Sequence, residues 1–334
     1  MRERMDDGRR AERARMREAR QQERTRRAQF ERERMRRGAP DGDRGPDGGA
    51  LDGFGISPEP DEWEMADADA GAGQVAEDAP GRRTLAHRDR TGTGTGPGLV
   101  YEGPSEFNGR PVVAVLTTGS RNPKTGPMDQ LWIMPRDVQP GEAVKVGRDR
   151  DVCGGCALRP SVGGEVRCYV QPWMAPLAVW EAHQLGSYQR IAPDELGLFG
   201  EGRDIRLGAW GDPAALPVDV VADLVSGARS WTGYTHAWRR PASQRLREWC
   251  HASVEDEAGA VTARRLGWRT FRVRRPGGAL MLGEVQCPAS AEAGNTTTCQ
   301  RCLRCGGREG KGGPGSVSIE VHGSHSPAAW VVRP

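Results

Sequence analysis

Cysteine is the residue type whose spacing in this chain could do chemistry. All eight cysteines follow residue 152, in two clusters with one left between them. The C-terminal cluster is Cys287, Cys299, Cys302 and Cys305, spaced C-x11-C-x2-C-x2-C. Three thiols within seven residues do not readily pair with one another, but they can converge on one metal centre. C-x2-C-x2-C on a tight loop suits the corners of an iron–sulfur cluster, a 4Fe-4S cubane first of all. Pro288 follows Cys287, as a proline follows the remote ligand of bacterial ferredoxin sites, although here that cysteine lies upstream. Zinc is the alternative cofactor, although structural zinc usually draws two ligand pairs from separate knuckles. The plainest alternative is four thiols with no metal. Thr296, Thr297 and Thr298 could supply hydrogen bonds to sulfur.

The first cluster is less complete. Cys153-Gly154-Gly155-Cys156 is a knuckle whose glycines let amides turn toward bound sulfur, and Cys168 could be a third ligand. Cys250 or His251 would complete the set. Three ligands with an open position would be a catalytic arrangement. Joining the other site, or binding nothing, are the bland readings. The C-x3-C-x2-C motif of radical-SAM enzymes is not in the chain, which argues against standard radical chemistry. Asp212, His236 and His251 fall at the ends of three expected strands, where the active residues of α/β sheets gather, and are the candidate catalytic trio. Each alone reads more simply: Asp212-Pro213 is a helix-capping pair. His322 and His325 could touch the same rim but read as surface residues.

These residues need elements to position them. Leu99–Tyr101, Pro111–Thr117 and Gln130–Met134 are β-branched or aromatic runs and make a β-rich beginning, with Thr118–Asp129 a Gly/Pro-marked loop. Strands are then expected at Ile205–Trp210, Trp231–Trp238, Trp249–Val254, Arg269–Val273, Glu284–Cys287 and Val317–His322. Helices are expected at Trp173–Leu185, Pro217–Gly227 and Asp256–Leu266; Val218, Val221, Leu224 and Val225 give the second its apolar stripe. Strands alternating with helices predict an α/β fold: a partial (β/α) barrel first, an open parallel sheet second, with a cysteine-rich metal-binding C-terminal segment. Trp210, Trp231, Trp238, Trp249 and Trp268 read as packing residues, although Trp238 beside Arg239 and Arg240 could stack on a planar ligand.

The charge of the 334-residue chain is segregated. Residues 1–38 carry fifteen Arg against eight acidic residues, and residues 39–90 carry five Arg against thirteen. Neither stretch can bury enough apolar surface to offset the entropy of ordering. Residues 1–38 are therefore read as a helical or disordered basic arm, able to meet nucleic acid or another acidic partner. Residues 39–97 read as an acidic linker, and residues 98–334 as the α/β domain. No run of eighteen apolar residues and no secretory leader is evident, so no membrane association and a cytoplasmic location are expected.

Several segments together resemble a family of uncharacterised cysteine-rich proteins of bacteriophages that infect GC-rich hosts. They are Asn122-Pro-Lys-Thr-Gly126, Cys153-Gly-Gly-Cys156, Arg206–Pro213, Trp231-Thr-Gly-Tyr-Thr-His236, Gly267–Val273 and Cys287-Pro-Ala-Ser290 leading into Cys299, Cys302 and Cys305. The resemblance covers about residues 98–325 and implies a phage origin and the cytoplasm of the infected cell; it implies no reaction. Two functions follow as expectations. The first is an iron–sulfur or zinc enzyme acting on a nucleotide or a nucleic-acid-related substrate. The second is a non-enzymatic, zinc-stabilised module that binds nucleic acid or a host protein.

Overall fold

The computed structural model describes residues 96–159 and 168–321. The basic arm, most of the acidic linker, His322 and His325 lie outside the described residues. The strands are β1 (Gly98–Pro104), β2 (Pro111–Thr117), β3 (Asp129–Pro135), β4 (Gln189–Arg190), β5 (Asp204–Trp210), β6 (Ser230–Thr235), β7 (His251–Val254), β8 (Thr270–Arg274), β9 (Glu284–Gln286) and β10 (Ser316–Glu320). They form one ten-stranded sheet in the order β4-β1-β2-β3-β5-β6-β7-β8-β10-β9.

The β-rich beginning is an antiparallel meander, β1 to β2 to β3. β2 is Pro-Val-Val-Ala-Val-Leu-Thr and is buried at every position after Pro111, as suits a strand covered on both faces. From β3 onward every pairing is parallel, through β5, β6, β7, β8, β10 and β9. The expected alternation of strands and helices is therefore present, in a sheet whose edges are β4 and β9.

Local chemistry explains the crossovers. The helix Val218–Ser226 buries Val221, Leu224 and Val225, the stripe its sequence presents. The helix Glu257–Arg265 starts at Asp256, whose Oδ1 accepts from Gly259 N at 2.6 Å, and it buries only Gly259, Ala260 and Ala263. Those small residues let it sit close on β7 and β8.

Strand alternation divides the interior in two. Ala252 and Val254 of β7 pack with Ala260, Ala263 and Trp268 in the main core. Ser253, Phe271 and Val317 share one row across β7, β8 and β10, with Val273 beside Ile319 in the next. Phe271, Val273, Val317 and Ile319 belong to a second, smaller core, shared with Cys287 and Cys305 and flanked by Cys156, Cys299 and Tyr234. The cysteines are thus walls of a core of their own. The five tryptophans read as packing residues are all buried. Trp238 donates from Nε1 to Ser253 O at 3.0 Å, and Arg239 stacks on its ring at 3.8 Å.

Candidate metal and ligand site

A cavity of about 250 Å³ lies on the face of the sheet that carries the second core, and cysteines of both clusters line it. Seven do so: Cys153, Cys156, Cys168, Cys287, Cys299, Cys302 and Cys305. All eight cysteines of the chain are thiols rather than disulfides.

The C-terminal four are drawn together by loops pinned at several points. Cys287 follows β9, and its N–H donates to Ser318 O of β10 at 2.8 Å. Cys299 opens the single-turn helix Cys299–Cys302, capped by Thr298. The N–H groups of Cys299 and Gln300 donate to Lys124 O and Thr125 O, at 2.8 and 3.1 Å. Those carbonyls are presented by an Asx turn, in which Asn122 Oδ1 accepts from Lys124 N at 2.9 Å and Thr125 N at 3.3 Å. Cys305 O accepts from Gly233 N of β6 at 2.9 Å. Gly307, at φ +69°, passes so close to the chain that a Cβ would stand 2.5 Å from Glu248 O.

The electrostatics tie the four thiols to one another. Burial pushes the Cys287 thiol up to about 11, with further upward pressure from Cys299 and Cys302 and a downward pull from Lys124. Burial also raises Cys299, against Arg206 and Lys124, which favour its thiolate. Cys305 is raised by burial, while the neighbouring Tyr234 hydroxyl pulls the other way. Cys287, Cys299 and Cys305 thus favour the protonated thiol, and a bound cation would displace those protons.

The first cluster comes from the β3–β5 crossover. Cys153 closes the short helix Arg150–Cys153, and Asp212 N donates to Val152 O at 2.7 Å, which fastens that helix to the end of β5. Burial raises the Cys153 thiol, and Cys156 and Cys168 raise it further. Burial likewise pushes Cys168 up to about 12.

The candidate catalytic trio separates. Asp212 and His236 line the cavity; among the described residues His251 is not on its wall. The Asp212 carboxylate is occupied by backbone: Oδ1 accepts from Ala214 N at 2.9 Å and Oδ2 from His236 N at 2.7 Å. Burial raises its pKa, and those bonds counter the rise. β5 can end there because Gly208 and Gly211 take φ +73° and +84°, and a Cβ on Gly211 would meet Ile133 O at 2.5 Å. His236 lies beside Cys156, and its Nε2 stands 3.2 Å from Glu255 Oε1. Burial pulls its pKa down, but Cys156 and Glu255 together hold it well above the usual imidazole range. His251 is fully buried, with Nε2 3.4 Å from Gly315 O, and burial depresses it to about 4. Cys250 sits in the main core, its sulfur 2.8 Å from where a Cβ on Gly233 would stand. Neither Cys250 nor His251 is placed to complete the first cluster.

Sequence reasoning passed over Lys124, Arg206, Tyr234 and Arg304 on the cavity wall, and Glu255 and Asp149 behind it. A signal for Lys124, Arg206 and Tyr234 was present, since all three lie in segments singled out in the sequence. Arg239 and Arg240 instead cover Trp238 and Phe107.

Among the described residues no three His, Cys, Asp or Glu side chains already stand at the separation that holds one ion. No helix among them is long and apolar enough to cross a membrane. Compared with protein-family models, curated proteins and solved structures, the chain matches none.

Proposed function

We propose that the protein is a metalloenzyme whose Cys287, Cys299, Cys302 and Cys305 hold an iron–sulfur cluster beside a cavity for a small anionic, nucleotide-like ligand. The observation that carries this reading is the convergence of four thiols, Cys287 and Cys305 buried and Cys299 and Cys302 half-buried, on the wall of a single cavity. The donor set fits: four sulfurs, with cations Lys124 and Arg206 acting on Cys299 and a hydroxyl donor on Cys305. Space beside the sulfurs favours a polyatomic cluster over a lone zinc ion, which fills little more than the gap between its ligands. When bound, such a group supplies one-electron transfer or Lewis acidity.

The chain's own residues would do the rest. Lys124, Arg206 and Arg304 bring positive charge to the wall, and Tyr234 and Phe271 bring aromatic surface. An anionic ligand with a planar ring meets both needs. Asp212 is a positioning residue, since both its oxygens hold the turn that presents His236. The phage origin and cytoplasmic setting belong to the same proposal and rest on the family resemblance alone.

Anaerobic purification, followed by iron, sulfide and zinc analysis and a visible spectrum, tests the reading. Broad charge-transfer absorption with matching iron and sulfide, lost in Cys302→Ser, is the expected outcome. A colourless protein with stoichiometric zinc would sink the iron–sulfur form and favour the zinc-stabilised binding module.

A further inference from the structure

We infer that Cys153, Cys156, Cys168 and His236 form a second metal site, suited to a thiophilic divalent ion such as zinc, on the same cavity. The inference goes beyond the proposed cluster and does not depend on it, because no residue is shared.

Three observations carry it. First, the crossover and the end of β6 bring a histidine to the three thiols, and they are tied together through Asp212, whose N–H holds Val152 O and whose carboxylate holds His236 N. His236 lies close enough to Cys156 to feel its charge, and all four side chains line the cavity. Second, His236 Nε2 faces Glu255 Oε1 at 3.2 Å. A metal-bound histidine commonly directs its other ring nitrogen to a carboxylate, which fixes the ring and raises its basicity. Third, Asp149 Oδ2, near Cys153 and Cys168, is a buried oxygen with no hydrogen-bond partner. Buried polar groups are nearly always satisfied, and an ion is one standard reason for an exception. Asp149 is 1% exposed; its Oδ1 meets Arg159 at 3.3 Å, and its charge presses on the Cys153 and Cys168 thiols.

Three thiolates and one imidazole are an ordinary zinc donor set. Binding releases the protons of the ligating thiols and of the imidazolium nitrogen that turns to the ion, and draws the side chains onto it, since they do not yet stand at ligand separation. Because the four donors border the cavity, an arriving ligand could displace or join one of them.

The test uses the full chain expressed with zinc in the medium, with metal content and X-ray absorption at the zinc edge as readouts. The wild-type protein should carry one equivalent of zinc in sulfur–nitrogen coordination. Cys302→Ser should keep it whatever happens to iron, which separates this site from the cluster. His236→Gln should lose it while retaining iron and visible absorption, and Glu255→Gln should weaken zinc affinity by about tenfold or more. Should His236→Gln fail to fold, His236→Cys is read instead, and a shift to all-sulfur coordination supports the site. Zinc content unchanged in a folded His236→Gln protein overturns the inference. So does a wild-type protein with no zinc, or one in which Cys153 and Cys156 are found as a disulfide.

Discussion

Tyr234 shows how one side chain joins fold to chemistry. It packs against Phe271 at 4.4 Å between ring centroids, and its hydroxyl is placed to act on the Cys305 sulfur, favouring the thiolate. Hydrogen bonds to ligating sulfur stabilise the more negative, reduced state of an iron–sulfur centre. Tyr234→Phe keeps the ring and removes only that donor. Iron content should be unchanged while the reduction potential moves to a more negative value in a redox titration. An unchanged potential would remove Tyr234 from the site's chemistry and leave it a packing residue. His251 makes the opposite point. Its place at a strand end suggests catalysis, yet it is a buried imidazole facing backbone carbonyls and held neutral by its surroundings. His251 opens β7 instead of ending it, so it stands at the amino end of the strand and not at the carboxyl end where active residues gather.

At the scale of elements, the segment that delivers Cys287 depends on a buried ion pair. Arg272 of β8 holds Glu284 of β9 with two bonds, Nε to Oε1 at 2.9 Å and Nη2 to Oε2 at 2.7 Å, although β10 lies between the two strands. Glu284 Oε2 also accepts from Met281 N at 2.9 Å. Removing one partner leaves the other charge buried and unpaired, a loss of about 3–5 kcal/mol. Glu284→Ala should therefore lower the unfolding free energy by about that much in urea titration, with metal loss from the C-terminal set. A loss below about 1 kcal/mol would show that the pair merely decorates the strands. The larger elements were legible in the sequence because their patterns are local: the Val218–Val225 stripe, the Asp256 cap and the apolar runs of β2 and β3. The helix Pro140–Lys145 and the helical turn Arg150–Cys153 were not, since each is too short to show a period.

Across the whole molecule, Asp204 links the base of the sheet to the cysteine loop. Its carboxylate accepts from Arg229 at 2.9 and 2.5 Å, Ser230 Oγ at 2.6 Å and Gln300 Nε2 at 2.7 Å. Burial raises its pKa, but these donors outweigh burial and hold it down at about 2. A carboxylate lowered in the fold contributes stability that is complete above its unfolded value near 4 and is lost as pH falls toward 2. Arg229 is largely exposed, so screening limits the contribution to about 1 kcal/mol. Unfolding free energy should fall between about pH 4 and pH 2, and Asp204→Asn should flatten that part of the curve. An equal slope in both proteins would refute the linkage.

The sequence by itself determined the alternation of strands and helices, the β-rich beginning and the two cysteine clusters, because helix and strand periods and ligand spacing are short-range properties. Only the tertiary structure decided that seven cysteines face one cavity while Cys250 is packed in the main core. It also decided that His236, rather than Cys250 or His251, stands beside the first cluster. The physical reason is that these side chains stand on loops just outside the strands, His236 after β6 and Cys250 before β7. Where such a loop runs is set by contacts between residues far apart in sequence, such as His236 N on the Asp212 carboxylate.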